Sequence, residues 1–327
     1  MPPIIALFLC ISFIALCFKM ELSRKKSVSN LLWLPFIWYL IVSSRPISSW
    51  FGGGGGNSSS DYYLEGSPLD RNVFIILIII AIILLVRRNI KLTNIFKYNR
   101  WLCIYLIFCG ISVLWSDFPF VAFKRWIKEI GNLSIILVLI TNNDPKGAVN
   151  TLIKRCAYIV APLSIVLIKY YPVYGRVFTR TGFPSLVGVT LNKNTLGIYC
   201  TISLIWFLGD LKNWWRIDNP IDKKLKWINI VIVSLLIWLL FLTNSATSIV
   251  CLFIGIGFLL ALRMNTIQSH SKYLGTYIVL IVTGLFLMDY LFDLQGMLFQ
   301  SLDRNETLTG RTDVWKLVLS FGTNPLS

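Results

Sequence analysis

The chain has 327 residues, of which 56% are hydrophobic and 14% are charged, and its mean hydropathy is +0.70. Soluble domains carry about 25% charged residues, so this composition excludes an ordinary soluble globule. The net charge of +16 raises nucleic acid as a partner, but no basic stripe contains the interleaved aromatic residues of a nucleic-acid surface. We therefore expect no nucleic acid partner.

Apolar runs bounded by charges and turn residues recur along nearly the whole chain. Since a spanning helix needs about 20 apolar residues, these runs predict an all-α polytopic membrane protein with about ten transmembrane helices in one integral membrane domain, residues 1-327. The predicted helices cover residues 2-18, 28-43, 72-86, 101-115, 121-140, 156-170, 195-209, 228-242, 245-262 and 273-291. For 121-140, which carries several charges, an interfacial amphipathic helix is the alternative.

The basic residues predict how these helices are oriented. With the N-terminus outside, more than half of the 31 basic residues fall in five clusters at alternate crossings, as the positive-inside rule requires. The five clusters cover residues 19-26, 87-100, 146-155, 212-226 and 263-272. We therefore predict an outside N-terminus.

Three predicted outer loops differ in character. Loop 44-71 contains Gly52 to Gly56 and a serine run, which predicts a flexible linker. Loop 171-194 holds three cations, and Lys169 just before it makes four, with almost no acid beside them; its glycines and prolines allow the backbone to approach a ligand closely. Loop 292-327 is read as the start of a larger loop.

The cations of loop 171-194 suit a diphosphate at the outer membrane surface. The guanidinium groups of Arg176 and Arg180 match phosphate oxygens, and the next helix start, near Lys193 and Asn194, adds N–H donors and a positive dipole end. The alternative is that these cations are anchors whose charged ends reach lipid headgroups.

Two further outer cations are candidate site residues. Arg125 recurs at helical spacing with Lys128, and charged residues at membrane depth usually face a cavity or a partner. Arg311 precedes a helix start, where a cation is unfavourable unless an anion joins it. The alternative for Arg311 is a weak surface pair with Asp313 or Glu306.

Four segments in order, WSDFP, TGFPSLVGVTLNKNTLG, TNSATS and ETLTGRTDVW, resemble the O-antigen ligase and polysaccharide polymerase superfamily over about residues 100 to 327. The pattern is most similar to exopolysaccharide polymerases. The resemblance implies a membrane glycosyltransferase of GT-C-like architecture in the bacterial inner membrane, with a periplasmic N-terminus here. Its donor would be a glycan on undecaprenyl diphosphate, used at the periplasmic face without a nucleotide sugar, metal or other cofactor.

The resemblance also implies roles for individual residues. Arg311 and Arg180 would be catalytic, although the choice between Arg176 and Arg180 as the family's arginine stays open. The implied diphosphate-binding residues are Arg176, Lys193, Asn194 and Arg125. The implied partners are the undecaprenyl diphosphate-linked glycan, the lipid bilayer and other polysaccharide export proteins.

Three functions follow from these sequence features. The first is polymerisation of lipid-linked repeat units during exopolysaccharide biosynthesis, and the second is ligation of glycan to lipid A-core. The third, a lipid-linked oligosaccharide flippase, is disfavoured because the middles of 72-86, 228-242 and 245-262 are apolar or small. The family pattern continues past TGR-x-x-W to a histidine, so we expect a truncated chain ending at Ser327.

Overall fold

A computed structural model describes residues 1–23, 30–51, 66–88, 99–178, 184–210 and 220–264, with isolated residues 97, 182, 267, 275–277, 279, 283, 317–318 and 320. The chain divides into two compact units, Met1–Gly257 and Phe258–Ser327. Helix packing is described for the first unit.

The described residues are all-α apart from one small hairpin. Its α-helices are α1 (Pro3–Leu22), α2 (Trp33–Ser43), α3 (Ile47–Trp50), α4 (Pro68–Arg87), α5 (Arg100–Ile111), α6 (Pro119–Ile140), α7 (Pro145–Tyr170), α8 (Pro172–Gly175), α9 (Lys193–Gly209), α10 (Pro220–Thr243) and α11 (Ala246–Ala261). Strands β1 (Arg176–Phe178) and β2 (Pro184–Leu186) pair antiparallel. Short 3₁₀ turns cover Asn30–Leu32 and Ser112–Trp115.

Four described helices are long and apolar enough to cross a membrane: α1, α4, α7 and residues Lys223–Thr243 of α10. The shorter apolar helices are α2, Arg100–Trp115 and α11. Together they indicate a membrane-embedded protein, as the composition predicts. The predicted tenth helix, 273-291, lies mostly outside the described residues.

Proline at the first helical position begins several of these helices. The prolines that open α1, α4, α6 and α7 have the fixed φ of a helix and lack only an N–H that would have no partner there. Asp144 additionally caps α7, because its side chain accepts a hydrogen bond from the Gly147 N–H at 2.9 Å.

The start of α7 corrects the sequence prediction. The predicted helix 156-170 excluded Lys154 and Arg155 as inside-loop residues, whereas α7 begins eleven residues earlier at Pro145 and buries both side chains. The two charges interrupt the apolar run from which the helix was predicted. Both can lie inside the helix because each forms an ion pair. Lys154 Nζ lies 2.7 Å from Asp210 Oδ2, and Arg155 Nε lies 2.9 Å from Glu21 Oε2.

Helix α7 is the central helix of the first unit. It packs against α1, α2, α9 and α10 in one hydrophobic core, which includes the fully buried Tyr158 and Phe207. A second core joins α2, α4 and α6 through Trp38, whose indole N–H donates to Asn132 Oδ1 at 3.0 Å. The second half of α6 is therefore packed inside the unit, although α6 is not among the helices that are apolar enough to cross a membrane.

Several ends predicted to lie inside meet at one end of the unit. The ion pairs Lys154–Asp210 and Arg155–Glu21 join the start of α7 to the ends of α9 and α1. Arg88, just after α4, donates to the Val138 carbonyl at 2.9 Å near the end of α6. This grouping agrees with the alternation of the basic clusters, while the orientation relative to a membrane stays a prediction.

Candidate functional site

The opposite end of the unit, here called the loop end, is organised around Arg45. Its Nε donates to the Thr190 carbonyl at 3.0 Å, and its Nη2 donates to the carbonyls of Gly188, at 3.0 Å, and Tyr174. Its guanidinium also lies 5.7 Å from the ring centroid of Trp50. One side chain therefore fastens the segment after α2 to the loop before α9.

Burial lowers the pKa of the Arg45 guanidinium, because desolvation disfavours its charged form. An arginine pKa starts so high that the group keeps its proton at physiological pH. Arg45 is therefore a fixed cation within loop 44-71, for which the sequence predicts a flexible linker. The structure differs there: α3 follows Arg45, while Gly52 to Gly56 lie outside the described residues.

The described parts of loop 171-194, residues 171-178 and 184-194, are held together by backbone hydrogen bonds. The Gly175 carbonyl accepts hydrogen bonds from the N–H groups of Val187, at 2.9 Å, and Gly188, at 3.1 Å. Gly188 has φ +56°, and a Cβ there would lie 2.6 Å from the Cβ of Ser164 on α7. Only glycine fits this close approach without strain.

The predicted cations of this loop have different surroundings. Arg176 begins β1, and its Nε donates at 2.9 Å to the Ile168 carbonyl near the end of α7, so it also closes a helix terminus. Lys193 lies in the first turn of α9. Arg180 and Arg311, the two predicted catalytic residues, lie outside the described residues.

Two segments that carry the family resemblance meet at the start of α9. The TNSATS segment turns between α10 and α11, with Asn244 at φ +46°. Ser245 Oγ donates to Asn194 Oδ1 at 3.4 Å, and Thr201 Oγ1 donates to the Ser248 carbonyl at 3.0 Å. KNTLG and TNSATS are distant in sequence, but they form one small polar contact.

Gly197 allows this contact, and its replacement by valine is expected to separate the two segments. A Cβ at Gly197 would lie 2.4 Å from Ser248 Oγ and 3.1 Å from the Ser245 Cβ, so the branched side chain cannot fit. We expect a loss of about 1–3 kcal/mol in the free energy of unfolding, measured in detergent. Gly257→Val is the matched control, because no described atom lies within 4 Å of its added Cβ. Equal stabilities of the two variants would contradict this packing.

A groove of about 660 Å³ opens at the loop end between α2, α4 and α6. Its walls are mainly apolar, and Leu191 of the loop before α9 closes one side. Arg125, a predicted diphosphate-binding residue, lines it, whereas Arg176, Lys193 and Asn194 do not. The structure therefore separates the predicted binding residues into two groups.

Cations dominate the charge of the groove. Its charged lining residues are Asp70, Arg71, Lys124, Arg125 and Lys128. The Asp70 carboxylate accepts hydrogen bonds from the Ser48 N–H, at 3.0 Å, and from the Ser48 hydroxyl, so it already has partners.

Two of the groove lysines form cation–π contacts with aromatic rings. The ammonium group of Lys124 lies 4.8 Å from the ring centroid of Phe120, and that of Lys128 lies 4.9 Å from the centroid of Phe74. Cation–π contacts leave an ammonium group able to bind an anion at the same time. The groove can therefore accept an anionic group joined to an apolar one.

Sequence reasoning missed Arg45 and Arg71. Both fall in loop 44-71, between the predicted helices 28-43 and 72-86. One signal could have identified Arg45: an arginine followed by proline directly after an apolar run, on the side where the orientation rule predicts few cations. Arg71 gave no such signal, because its position depends on how α4 meets α6.

The fold and groove define a class: a membrane-embedded all-α protein with an apolar groove, lined by several cations, at one end of its helices. No family model, curated protein or solved structure matches the chain. Among the described residues, no group of three His, Cys, Asp or Glu side chains could hold a metal ion. The resemblance to the O-antigen ligase and polysaccharide polymerase superfamily therefore remains a proposal.

Proposed function

We propose that the protein is a membrane glycosyltransferase that polymerises undecaprenyl diphosphate-linked repeat units during exopolysaccharide biosynthesis. The observation that carries the proposal is the contact between KNTLG and TNSATS at the loop end, where Gly197 packs on Ser248. These two segments belong to the pattern on which the family resemblance rests, and their contact is what a shared site requires.

The proposal extends to the architecture. About ten spans of GT-C-like arrangement in the bacterial inner membrane would put the loop end, and the N-terminus, at the periplasmic face. The sidedness of the basic residues supports this orientation, because Lys154 and Arg155 lie in the first half of α7, whereas Arg176 lies beyond its last residue.

The proposed chemistry is transfer of the glycan from its lipid diphosphate to a sugar hydroxyl of a second lipid-linked unit. The acceptor oxygen forms a bond to the anomeric carbon and loses its proton to a base, while the bond from that carbon to the diphosphate oxygen breaks. The leaving lipid diphosphate takes the electron pair and gains negative charge. Arg180 and Arg311, with Arg176 and Lys193, would stabilise that charge, an effect worth several kcal/mol in a preorganised site.

The two alternative functions, ligase and flippase, require different features of the protein. A ligase uses the same donor chemistry and differs only in its acceptor, lipid A-core. A flippase needs a polar path between both ends, and the buried charges in the first half of α7 are instead paired with Glu21 and Asp210, near the ends of α1 and α9. Because the KNTLG segment is most similar to the polymerases, polymerisation rather than ligation is the function we favour.

Cells lacking the protein and complemented with variants test the proposed function. We expect Arg311→Ala and Lys193→Gln to reduce polymer length severely and to leave single lipid-linked repeat units on the outer leaflet. The readouts are glycan length on gels, the mass of lipid-linked glycans and their leaflet exposure. Lys223→Gln is the control, because this exposed cation lies at the start of α10, away from the loop end.

One result would reject the proposed site residues, and two would reject the function. Normal polymer from both variants would remove Arg311 and Lys193 from the site. Repeat units retained on the cytoplasmic leaflet in the deletion strain would indicate a flippase. Normal free polymer, together with loss of glycan from lipid A-core, would indicate a ligase.

A further inference from the structure

We propose that the groove between α2, α4 and α6 is a binding site for a lipid diphosphate, distinct from the cations of loop 171-194. The lipid's identity rests on the proposed function, whereas the site itself rests on the groove's geometry and charge. Arg71, Lys124 and Lys128 thereby join Arg125 as binding residues.

The depth of the groove indicates a ligand with both a charged and an apolar part. On α6 the lining runs from Phe120 to Lys128, and on α4 from Asp70 to Ile78. Each stretch covers about 12 Å along its helix at 1.5 Å per residue. The groove therefore extends from the helix starts well down the helical walls, where a lipid chain can lie against apolar side chains.

The volume agrees with such a ligand. At about 660 Å³ the groove lies within the usual range of ligand pockets, about 300–1,000 Å³. Phe74, Phe123 and Ile78 supply apolar wall, while Arg71 stands in the first turns of α4. A headgroup among the cations of α4 and α6, with its chain against Ile78 and the phenylalanines, accounts for both kinds of lining side chain.

The charge favours a diphosphate over a bulk phospholipid. The four cations are opposed by one acid in the lining, Asp70, whose carboxylate already accepts two hydrogen bonds from Ser48. Within the described residues, no acid lies within ion-pair distance of Arg71, Arg125 or Lys128. A diphosphate carries more negative charge than a single phosphodiester, so it neutralises this excess better.

The cations lie on two helices, so they can form hydrogen bonds with phosphate oxygens from both walls of the groove. Arg125 and Lys128 are three residues apart on α6 and therefore share a face, and Arg71 approaches from α4 across the groove. Arginine offers paired N–H donors to phosphate oxygens, and such charge-assisted bonds are the stronger ones. Cations on both walls can bind the two phosphates of one headgroup together.

Direct binding to the purified full chain tests the site without any glycan transfer. The probe is undecaprenyl diphosphate without sugar, added in detergent and followed by native mass spectrometry. We expect the double variant R125Q/K128Q to weaken binding at least about tenfold, and R71Q alone to weaken it measurably. The matched control K223Q/K224Q removes two exposed lysines at the start of α10 and should bind as the unmodified chain does.

Each outcome decides for or against the groove. Equal affinity of R125Q/K128Q and K223Q/K224Q overturns the site, as does displacement of the probe by an equal concentration of phosphatidylglycerol. The unfolding temperature of each variant is measured alongside, and R71Q decides if the double variant is unfolded. Loss of binding in R125Q/K128Q with normal polymer length would keep the site and reject its part in the proposed function.

Discussion

Replacing Arg155 by alanine is expected to lower the free energy of unfolding by about 3–5 kcal/mol. Arg155 is only 5% exposed, bonds Glu21 through Nε and Nη2, and lies over the Trp33 ring at 4.8 Å from its centroid. Alanine would leave the Glu21 carboxylate largely buried without its cation, which costs more than the pair itself contributes. Denaturant unfolding of the purified chain in mild detergent measures the change.

Two variants make this first prediction specific. Arg87→Ala removes an exposed arginine from the last turn of α4 and should change stability by no more than about 0.5 kcal/mol. The double variant E21Q/R155M removes both charges and should recover part of the loss. A loss below about 1 kcal/mol for Arg155→Ala would mean that water replaces the cation and that this end of α7 is not buried.

Replacing Arg45 by alanine should loosen the loop end, with a loss of about 2–4 kcal/mol. Three carbonyl groups, of Tyr174, Gly188 and Thr190, would each lose a hydrogen bond from a charged donor. Such bonds contribute about 1.5–3 kcal/mol each when buried, and we discount the sum because Arg45 is partly exposed. Hydrogen exchange at Val187 and Gly188 should rise strongly, since their amides bond within the loop that Arg45 fastens.

The control for this second prediction replaces the guanidinium of Arg45 by an ammonium group of the same charge. Arg45→Lys keeps the cation but cannot reproduce the planar donor fork, so it should recover less than half of the loss. Arg71→Ala, an exposed residue of the first turns of α4, should leave exchange at Val187 unchanged. Full recovery by lysine would show that charge rather than the hydrogen-bond geometry holds the loop.

The helical regions show how far sequence patterns reach. Apolar length predicted α1, α4 and α10, because a membrane-length run of apolar residues has few alternatives to a helix, although α4 begins four residues and α10 eight residues before the predicted starts. The same rule placed the start of α7 too late, since Lys154 and Arg155 interrupt the run. Their partners, Glu21 and Asp210, are far away in sequence, so no local pattern could reveal that the charges are neutralised.

In the candidate site, too, the sequence revealed local patterns but not contacts between distant segments. The sequence indicated Arg125 because it repeats at helical spacing beside Lys128, which is a local signal. It gave no reason to join Arg125 to Arg71, which approaches from another helix. It also grouped Arg125 with Arg176, Lys193 and Asn194, which the structure keeps outside the groove.

The sequence by itself determined the all-α class, the apolar helices and the alternation of basic clusters, because each depends on composition and on spacing along one segment. Only the tertiary structure decided that Arg45 fastens two loops, that Gly197 packs on Ser248 and that cations of α4 and α6 line one groove. These features depend on which helices become neighbours. That choice follows from packing many side chains at once around α7, and no single stretch of sequence contains it.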